Sequence, residues 1–492
     1  MPADEAAGWR AMAQTRLDSR RFLDALKAAR LAVSAAPREA AGYTLVGEIA
    51  LAMADLPLAV EALEAAYSLA PESRENAELL ATAHLRSNNP PRALAFAQLA
   101  AALAPTSADA QALVGSALVD LRRPEEARAA FAAALALDPH HPHAQNGLGA
   151  AAEFDGDDAT ALAYFEAALA HHPTFAEARM NRALVLIRAG RFREGYRDYH
   201  AMMSTPARAA GYPYARMGKR RWRGEPLLGR RLLIAQEQGF GDMVQMLRYV
   251  PRLAPLDGPV AFEVKSPLVP LVRRSFPDLT LVEDAGLIAD PASFDVHLPV
   301  MQLPAVFGST LETLPATFPY LRPDADRAER LRARLAVGGG ITVGIAWRGN
   351  PSHRGDTDRS TSLADWAPLT GLDGVRFISL QYGASPEELA AAPFPLEAPP
   401  MTIADFDDSA VLIAAVDAVV SVDTVAIHLA GALGRPAFLA LPWRADYRWM
   451  RGRPDTPWYA SVQLVRQAAP GDWASVFTTI SSQLRGLAAS PR

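Results

Sequence analysis

Pro37, Pro71, Pro105, Pro139 and Pro173 stand 34 residues apart, and this ladder constrains the fold more than any other feature of the chain. A repeat of that length is a helix–turn–helix unit, and such units stack into a solenoid whose concave face holds other polypeptides. With each unit ending two residues after its proline, the repeats run 6–39, 40–73, 74–107, 108–141 and 142–175. Small residues recur where paired helices must approach: Gly115, Ala127 and Ala134 in the fourth unit, Gly149, Ala161 and Ala168 in the fifth. Leu63, Phe131 and Phe165 share the repeat position that fills the adjacent hole. Each proline follows a second helix, whose hydrogen bonding it cannot continue. A sixth unit starts at Ala176, with Gly190-Arg191-Phe192 as its turn and Tyr196 and Tyr199 on its second helix.

Together these units, 6–203, resemble the tetratricopeptide family. A plain helical bundle is the alternative, and an unbroken register over five units argues against it. His140, His141, His143, His171 and His172 sit beside prolines at inter-repeat turns, where exposed polar residues are routine. No carboxylate–histidine helix spacing accompanies them, so no metal is expected there. The repeats are a holder, not a catalyst.

With 492 residues the chain has room for about three domains. A formal charge of −5 argues against broad nucleic-acid or membrane-surface binding. The lack of cysteine removes disulfides, thiolate nucleophiles and cysteine-held metals from consideration. The acidic start lacks the basic and apolar regions of a signal peptide, and no apolar run approaches the roughly 18 residues of a membrane span. A soluble, cytoplasmic, bacterial-type protein is expected.

Residues 204–230 are rich in Arg, Gly, Pro and aromatics, including Tyr212, Tyr214 and Arg220-Arg221-Trp222-Arg223, and read as a linker. A basic-aromatic loop bordering an anionic substrate is the alternative. From Arg231 strands alternate with helices. Strands are expected at 232–235, 259–264, 279–282 and 294–298, then at 341–347, 376–380, 418–422 and 437–441. That alternation implies parallel sheets covered on both faces. It divides the region into two Rossmann-like domains, 231–335 and 336–488. Ligands bind such sheets beyond the carboxyl ends of their strands.

Two loops stand out. Gln236-Glu237-Gln238-Gly239-Phe240-Gly241-Asp242 joins the first strand to a helix. Ser421-Val422-Asp423-Thr424-Val425 leads from another strand into a helix carrying His428 and ending at Gly434. Backbone N–H groups at Thr424–Ala426 suit a phosphate, Asp423 can accept hydrogen bonds from sugar hydroxyls, and Thr424 and His428 share a helix face. A structural helix cap at Asp423 or Thr424 is the alternative.

Ser421-Val422-Asp423-Thr424…His428…Gly434-Arg435-Pro436 resembles the donor-site motif of bacterial heptosyltransferases and related glycosyltransferases with the two-domain GT-B fold. The 236–242 loop resembles the Gly-rich first loop of that group, with Gly239 and Gly241. Trp347-Arg348-Gly349-Asn350-Pro351…His353…Asp358-Arg359-Ser360, Leu380-Gln381 and Leu441–Trp449 resemble further segments of glycosyltransferases fused to tetratricopeptide repeats. Val425 departs from the group's usual glycine.

The resemblance implies an α-solenoid followed by a GT-B fold, transferring a sugar from a nucleotide donor held by the C-terminal domain. Asp423 would take sugar hydroxyls, Thr424 and neighbouring amides phosphate, with His428 in support. Arg348 and Arg359 are candidates for phosphate charge, with surface ion pairs the alternative. Trp347, Asn350, Gln381 and Trp443 are candidate donor-pocket residues, with core packing the alternative for each tryptophan. By the same resemblance Asp242 is the general base, and Glu237 is second in line. A capping role on a helix from Met243 is the alternative for Asp242. Asp356-Thr357-Asp358 has a metal-binding spacing but reads as a solvated loop, so transfer without metal or other cofactor is expected. A protein acceptor held by the repeats, flagellin above all, and a nucleotide sugar, for instance a CMP-nonulosonate, are the implied partners. Two other functions stay open: a glycan or lipopolysaccharide transferase, and a non-catalytic scaffold.

Overall fold

The computed structural model describes residues 2–203, 214, 218–284, 290–351 and 356–489. The chain divides into two compact units, Met1–Arg182 and Ala183–Arg492.

The first unit is all helical. Helices Phe22–Ala35, Leu56–Leu69, Pro90–Leu103, Pro124–Leu137 and Asp158–His171 each end two residues before a proline of the ladder. The hole-filling position explains why the repeat demands small partners. A Cβ on Gly115 would fall 2.6 Å from the Phe131 ring, and one on Gly149 would fall 2.5 Å from Phe165. Ala127, Ala134, Ala161 and Ala168 are buried around them. The histidines serve the turns. His141 accepts the Ala144 N–H through Nδ1 at 3.2 Å and meets Asp109 at 3.0 Å. The rings of His140 and His171 stack 3.7 Å apart.

The division falls inside helix Ala176–Arg188 rather than after the expected sixth unit. Helix Phe192–Met203 therefore belongs with the second unit. Phe192 stacks on Trp458, with ring centroids 5.5 Å apart.

Among its described residues the second unit holds two parallel sheets. The first has the order β1-β5-β2-β3-β4, from Arg220–Arg221 (β1), Leu232–Ala235 (β2), Val260–Lys265 (β3), Thr280–Asp284 (β4) and Val296–Pro299 (β5). The second has the order β11-β10-β9-β6-β7-β8. Its strands are Ile341–Ala346 (β6), Val375–Ser379 (β7), Leu396–Glu397 (β8), Ala418–Val422 (β9), Ala437–Leu441 (β10) and Val462–Arg466 (β11). The mostly apolar strands β6, β9 and β10 are buried along their length, as strands covered on both faces must be.

The reading of 204–230 as a linker needs correction at its described end. β1 pairs with β5, and Trp222 is buried with its indole N–H donated to the Glu225 carbonyl at 2.7 Å. Tyr214 is buried too and hydrogen-bonds Glu263. Tyr212 and His353 lie outside the described residues. No helix among the described residues is long and apolar enough to cross a membrane.

Candidate functional site

Strand order reverses once in each sheet, between β2 and β5 and between β9 and β6. Crevices open beyond the carboxyl ends of strands at such points. In the first sheet, Glu237 follows β2 and accepts the N–H of Met301, just past β5, at 2.9 Å. In the second, Arg359, from the segment after β6, donates to the Asp423 carbonyl, just past β9, at 2.9 Å.

The two crevices meet. A Cβ on Gly241 would lie 2.7 Å from His428 Cδ2, so only glycine lets helix Phe240–Met246 approach helix Val425–Ala432 this closely. Arg448, just beyond β10, joins them electrostatically. Its guanidinium donates to Asp242 at 2.6 Å, to Asp446 at 2.8 Å and to Gln245 Oε1 at 3.2 Å. Arg248 holds the neighbourhood together. It is buried, donates to the carbonyls of Gln245 and Trp458 at 2.8 and 2.7 Å, and faces the rings of Phe318, Tyr320, Trp458 and Tyr459. Such contacts offset part of the cost of burying its charge.

The ionisable groups are pushed in opposite directions. Burial pushes the Glu237 carboxyl up to about 8, helped by the negative charge of Asp242. Burial works the same way on Asp242, but Arg448 outweighs it and holds that carboxyl below its usual value. Burial also raises Asp423, against the pull of Arg448. His428 is pushed well below the ordinary imidazole value by burial and by Arg448, so it is neutral near pH 7. Its Nδ1 lies 2.8 Å from the Tyr459 hydroxyl, and its Nε2 lies 3.8 Å from Asp423. One protonated carboxyl, one ionised carboxylate and a neutral imidazole thus share a cleft, an arrangement suited to proton transfer.

Several expected residues take different places. Asp242 does serve a helix cap, though not as the residue before Met243. It sits inside a helix that begins at Phe240 and accepts the Gly239 N–H at 3.0 Å, while Gln238 before it adopts φ +65°. Arg348 takes the ion-pair alternative: Glu388 holds its guanidinium through two bonds of 3.0 and 2.9 Å. Trp347 is core, with its indole N–H on Glu388 at 2.9 Å. Gln381 ties the ends of β6 and β7, accepting the N–H groups of Trp347 and Arg348 at 3.1 and 3.0 Å. Asn350 is exposed, and Trp443 is half-buried with its backbone N–H on Gln467.

Asp356 is not solvated as expected. It is buried and bound by Arg359 at 3.1 Å and Ser360 at 2.8 Å. Thr424 caps its helix by accepting the Ala426 N–H at 3.3 Å, and Val425 is the first residue of that helix. No group of three or more His, Asp or Glu able to hold a metal occurs among the described residues.

Sequence reasoning gave Arg448 no role beyond its place in the Leu441–Trp449 segment, missed Arg248, and placed Tyr199 in the repeats alone. Tyr199 is buried within reach of Gln238, Glu237 and Asp242. Arg448 lies 206 residues from Asp242, a separation no local pattern reports.

The repeat unit has a feature of its own. An open groove of about 340 Å³ is lined by Arg10, Gln14, Thr44, Glu48 and Glu75, among others. Burial, then the charge of Glu75, raises the Glu48 carboxyl above its usual value.

Comparison with known proteins bears first on the helical unit. Residues 47–108, 115–168 and 154–195 match the family model described as tetratricopeptide repeat. These units are tetratricopeptide repeats. Protein FlbA of Caulobacter vibrioides is 31% identical over 332 residues, covering 63% of this chain and 55% of that protein. The chain thus spans about half the length of this curated relative. Among solved structures, the thermophilic TPR protein TTC0263 of Thermus thermophilus is 19% identical, covering 37% of this chain and 99% of its own, with a TM-score of 0.34. YrrB, described as a TPR protein with an unusual peptide-binding site, is 22% identical over 35% of this chain and 88% of its own, with a TM-score of 0.29.

Proposed function

We propose that this chain is a glycosyltransferase of the two-domain GT-B type that moves a sugar from a nucleotide donor to a Ser or Thr hydroxyl of a protein held by the repeats. The observation that carries the reading is the meeting of Glu237, Asp242, Asp423, His428 and Arg448 just beyond the carboxyl ends of strands from two parallel sheets. The repeat groove favours a polypeptide acceptor over a free glycan, since stacked helical hairpins hold extended segments. Flagellin is the acceptor that the resemblance of the repeat-fused transferases puts first.

In this reading the acceptor hydroxyl gives its proton to the Asp242 carboxylate as its oxygen bonds to the anomeric carbon. The bond from that carbon to the donor phosphate breaks, and its electron pair leaves with the nucleotide. Asp423 accepts hydrogen bonds from the sugar, and the amides of Thr424 and Val425 at the helix start take the phosphate. Glu237 keeps its proton near pH 7 and excludes a second negative charge beside the base.

Intact-mass measurement of flagellin incubated with the full-length protein and a panel of nucleotide sugars tests the reading. One added sugar mass is expected. Asp242→Asn should slow transfer by about 10²–10⁴-fold, the usual contribution of a general base. Transfer by this variant at the original rate would remove Asp242 from the chemistry. A panel in which no nucleotide or nucleotide sugar raises the melting temperature would favour a scaffold instead.

A further inference from the structure

Arg448 is the charge at the centre of the cleft, and neither the donor-site motif nor the first loop contains it. Three observations define its position. Its guanidinium is held by two carboxylates, Asp242 at 2.6 Å and Asp446 at 2.8 Å, the first reached across from the other sheet. Its side chain keeps 11% exposure and that of Asp242 keeps 16%, so the pair is largely withdrawn from water yet open to the cleft. Beside it, Gln245 is 1% exposed and spends its Oε1 on Arg448, while its Nε2 has no hydrogen-bond partner. A buried amide donor left unpaired calls for an acceptor.

We infer that Arg448 is the residue that takes the donor's phosphate, and that it does so by exchanging Asp242 for a phosphate oxygen. This rests on the transferase reading above. A guanidinium presents a planar fork that matches phosphate as well as carboxylate, and each phosphate of the donor brings a negative charge equal to that of the carboxylate it displaces. Asp446 stays on the Nε edge, so Arg448 is not stripped of its counter-charge during the exchange. Gln245 Nε2 supplies a neutral donor to the same anion. The exchange has a catalytic consequence. Without donor, the Arg448 ion pair makes Asp242 a poor proton acceptor. With phosphate on Arg448, the carboxylate is released as a base only when there is a sugar to transfer. Donor hydrolysis and idle proton abstraction are thereby linked to occupancy of one site.

The test measures affinities of the full-length protein for UDP, GDP, ADP and CMP by calorimetry, with the matching nucleosides as controls. For whichever nucleotide binds, Arg448→Gln should weaken binding at least tenfold and leave the nucleoside unchanged, with Arg448→Lys in between. Asp242→Asn removes the competing charge while keeping the shape, so it should bind the nucleotide several-fold more tightly. That gain is the decisive sign, because a merely structural ion pair would give equal or weaker binding. If Arg448→Gln fails to fold, the Asp242→Asn measurement decides alone. Unchanged nucleotide affinity in Arg448→Gln, or equal or weaker affinity in Asp242→Asn, would overturn the exchange and leave the transferase reading standing. Failure of every nucleotide to bind the unaltered protein would overturn both.

Discussion

The two units of this chain use charge in opposite ways. In the repeats ion pairs such as Arg123 with Glu126 and Arg21 with Asp24 are short-range and wet, each three residues apart on exposed helix surface. In the α/β unit the informative contact is long-range and largely withdrawn from water, Arg448 with Asp242. The comparison teaches where function concentrates. Screened surface pairs change little when water can replace a partner, whereas withdrawn pairs set protonation states and so can do chemistry. The repeats owe their stability to shape, the cleft its chemistry to burial.

The sharpest way to break this contrast is to damage shape in one unit and watch the other. Phe131→Ala should cost about 3–5 kcal/mol in the repeats, because Gly115 and Gly147 leave nothing to collapse into the vacated hole. Chemical denaturation followed by circular dichroism should show that loss, while nucleotide affinity stays unchanged. A fall in nucleotide affinity would show that the units do not act separately.

Gly241→Ala is the corresponding test in the cleft. Its Cβ meets a His428 ring fixed by Tyr459 and Trp449, so overpacking of about 1–3 kcal/mol is expected, with slower transfer. A thermal melt that matches the unaltered protein would mean that the two helices have room to part.

Glu237→Gln sharpens the electrostatic half. The folded carboxyl titrates at about 8, above its unfolded value of 4.5. The stability it contributes is therefore complete below pH 4.5 and is lost as pH rises toward 8. Glutamine cannot ionise, so the variant should gain on the parent across that window, by on the order of a few kcal/mol, and no further above it. Parallel melting curves from pH 4.5 to 8 would show that Glu237 is ionised in the cleft. At the small end, replacing both Arg123 and Glu126 by Ala should leave the melting temperature unmoved, since water reaches both side chains.

Much of the fold is legible in the sequence because its causes are local. A 34-residue period, a small residue opposite each large one and a proline after each second helix are properties of neighbours in the chain. The strands at 232–235, 418–422 and 437–441 are found where they are expected, since runs of apolar residues bounded by polar turns admit few other readings. The short β1 is not visible this way. Arg220-Arg221 carries no strand pattern, and only pairing with β5 makes it a strand.

The candidate site divides along the same line. Its loops are readable, because glycine and polar residues between a strand and a helix mark the functional edge of a sheet. The roles within them are not. Arg348 and Arg359 look alike in sequence, yet Glu388 occupies the first and the Asp423 carbonyl receives the second. The repeats, the strand–helix alternation and the loops where chemistry gathers follow from local sequence alone. That Arg448 faces Asp242, that Glu237 keeps its proton and that Trp347 is core depend on how the folded chain brings distant segments together. The period of a helix or strand is set by neighbouring residues. A charge's energy is set by whatever the fold brings within a few ångströms, however distant in the chain.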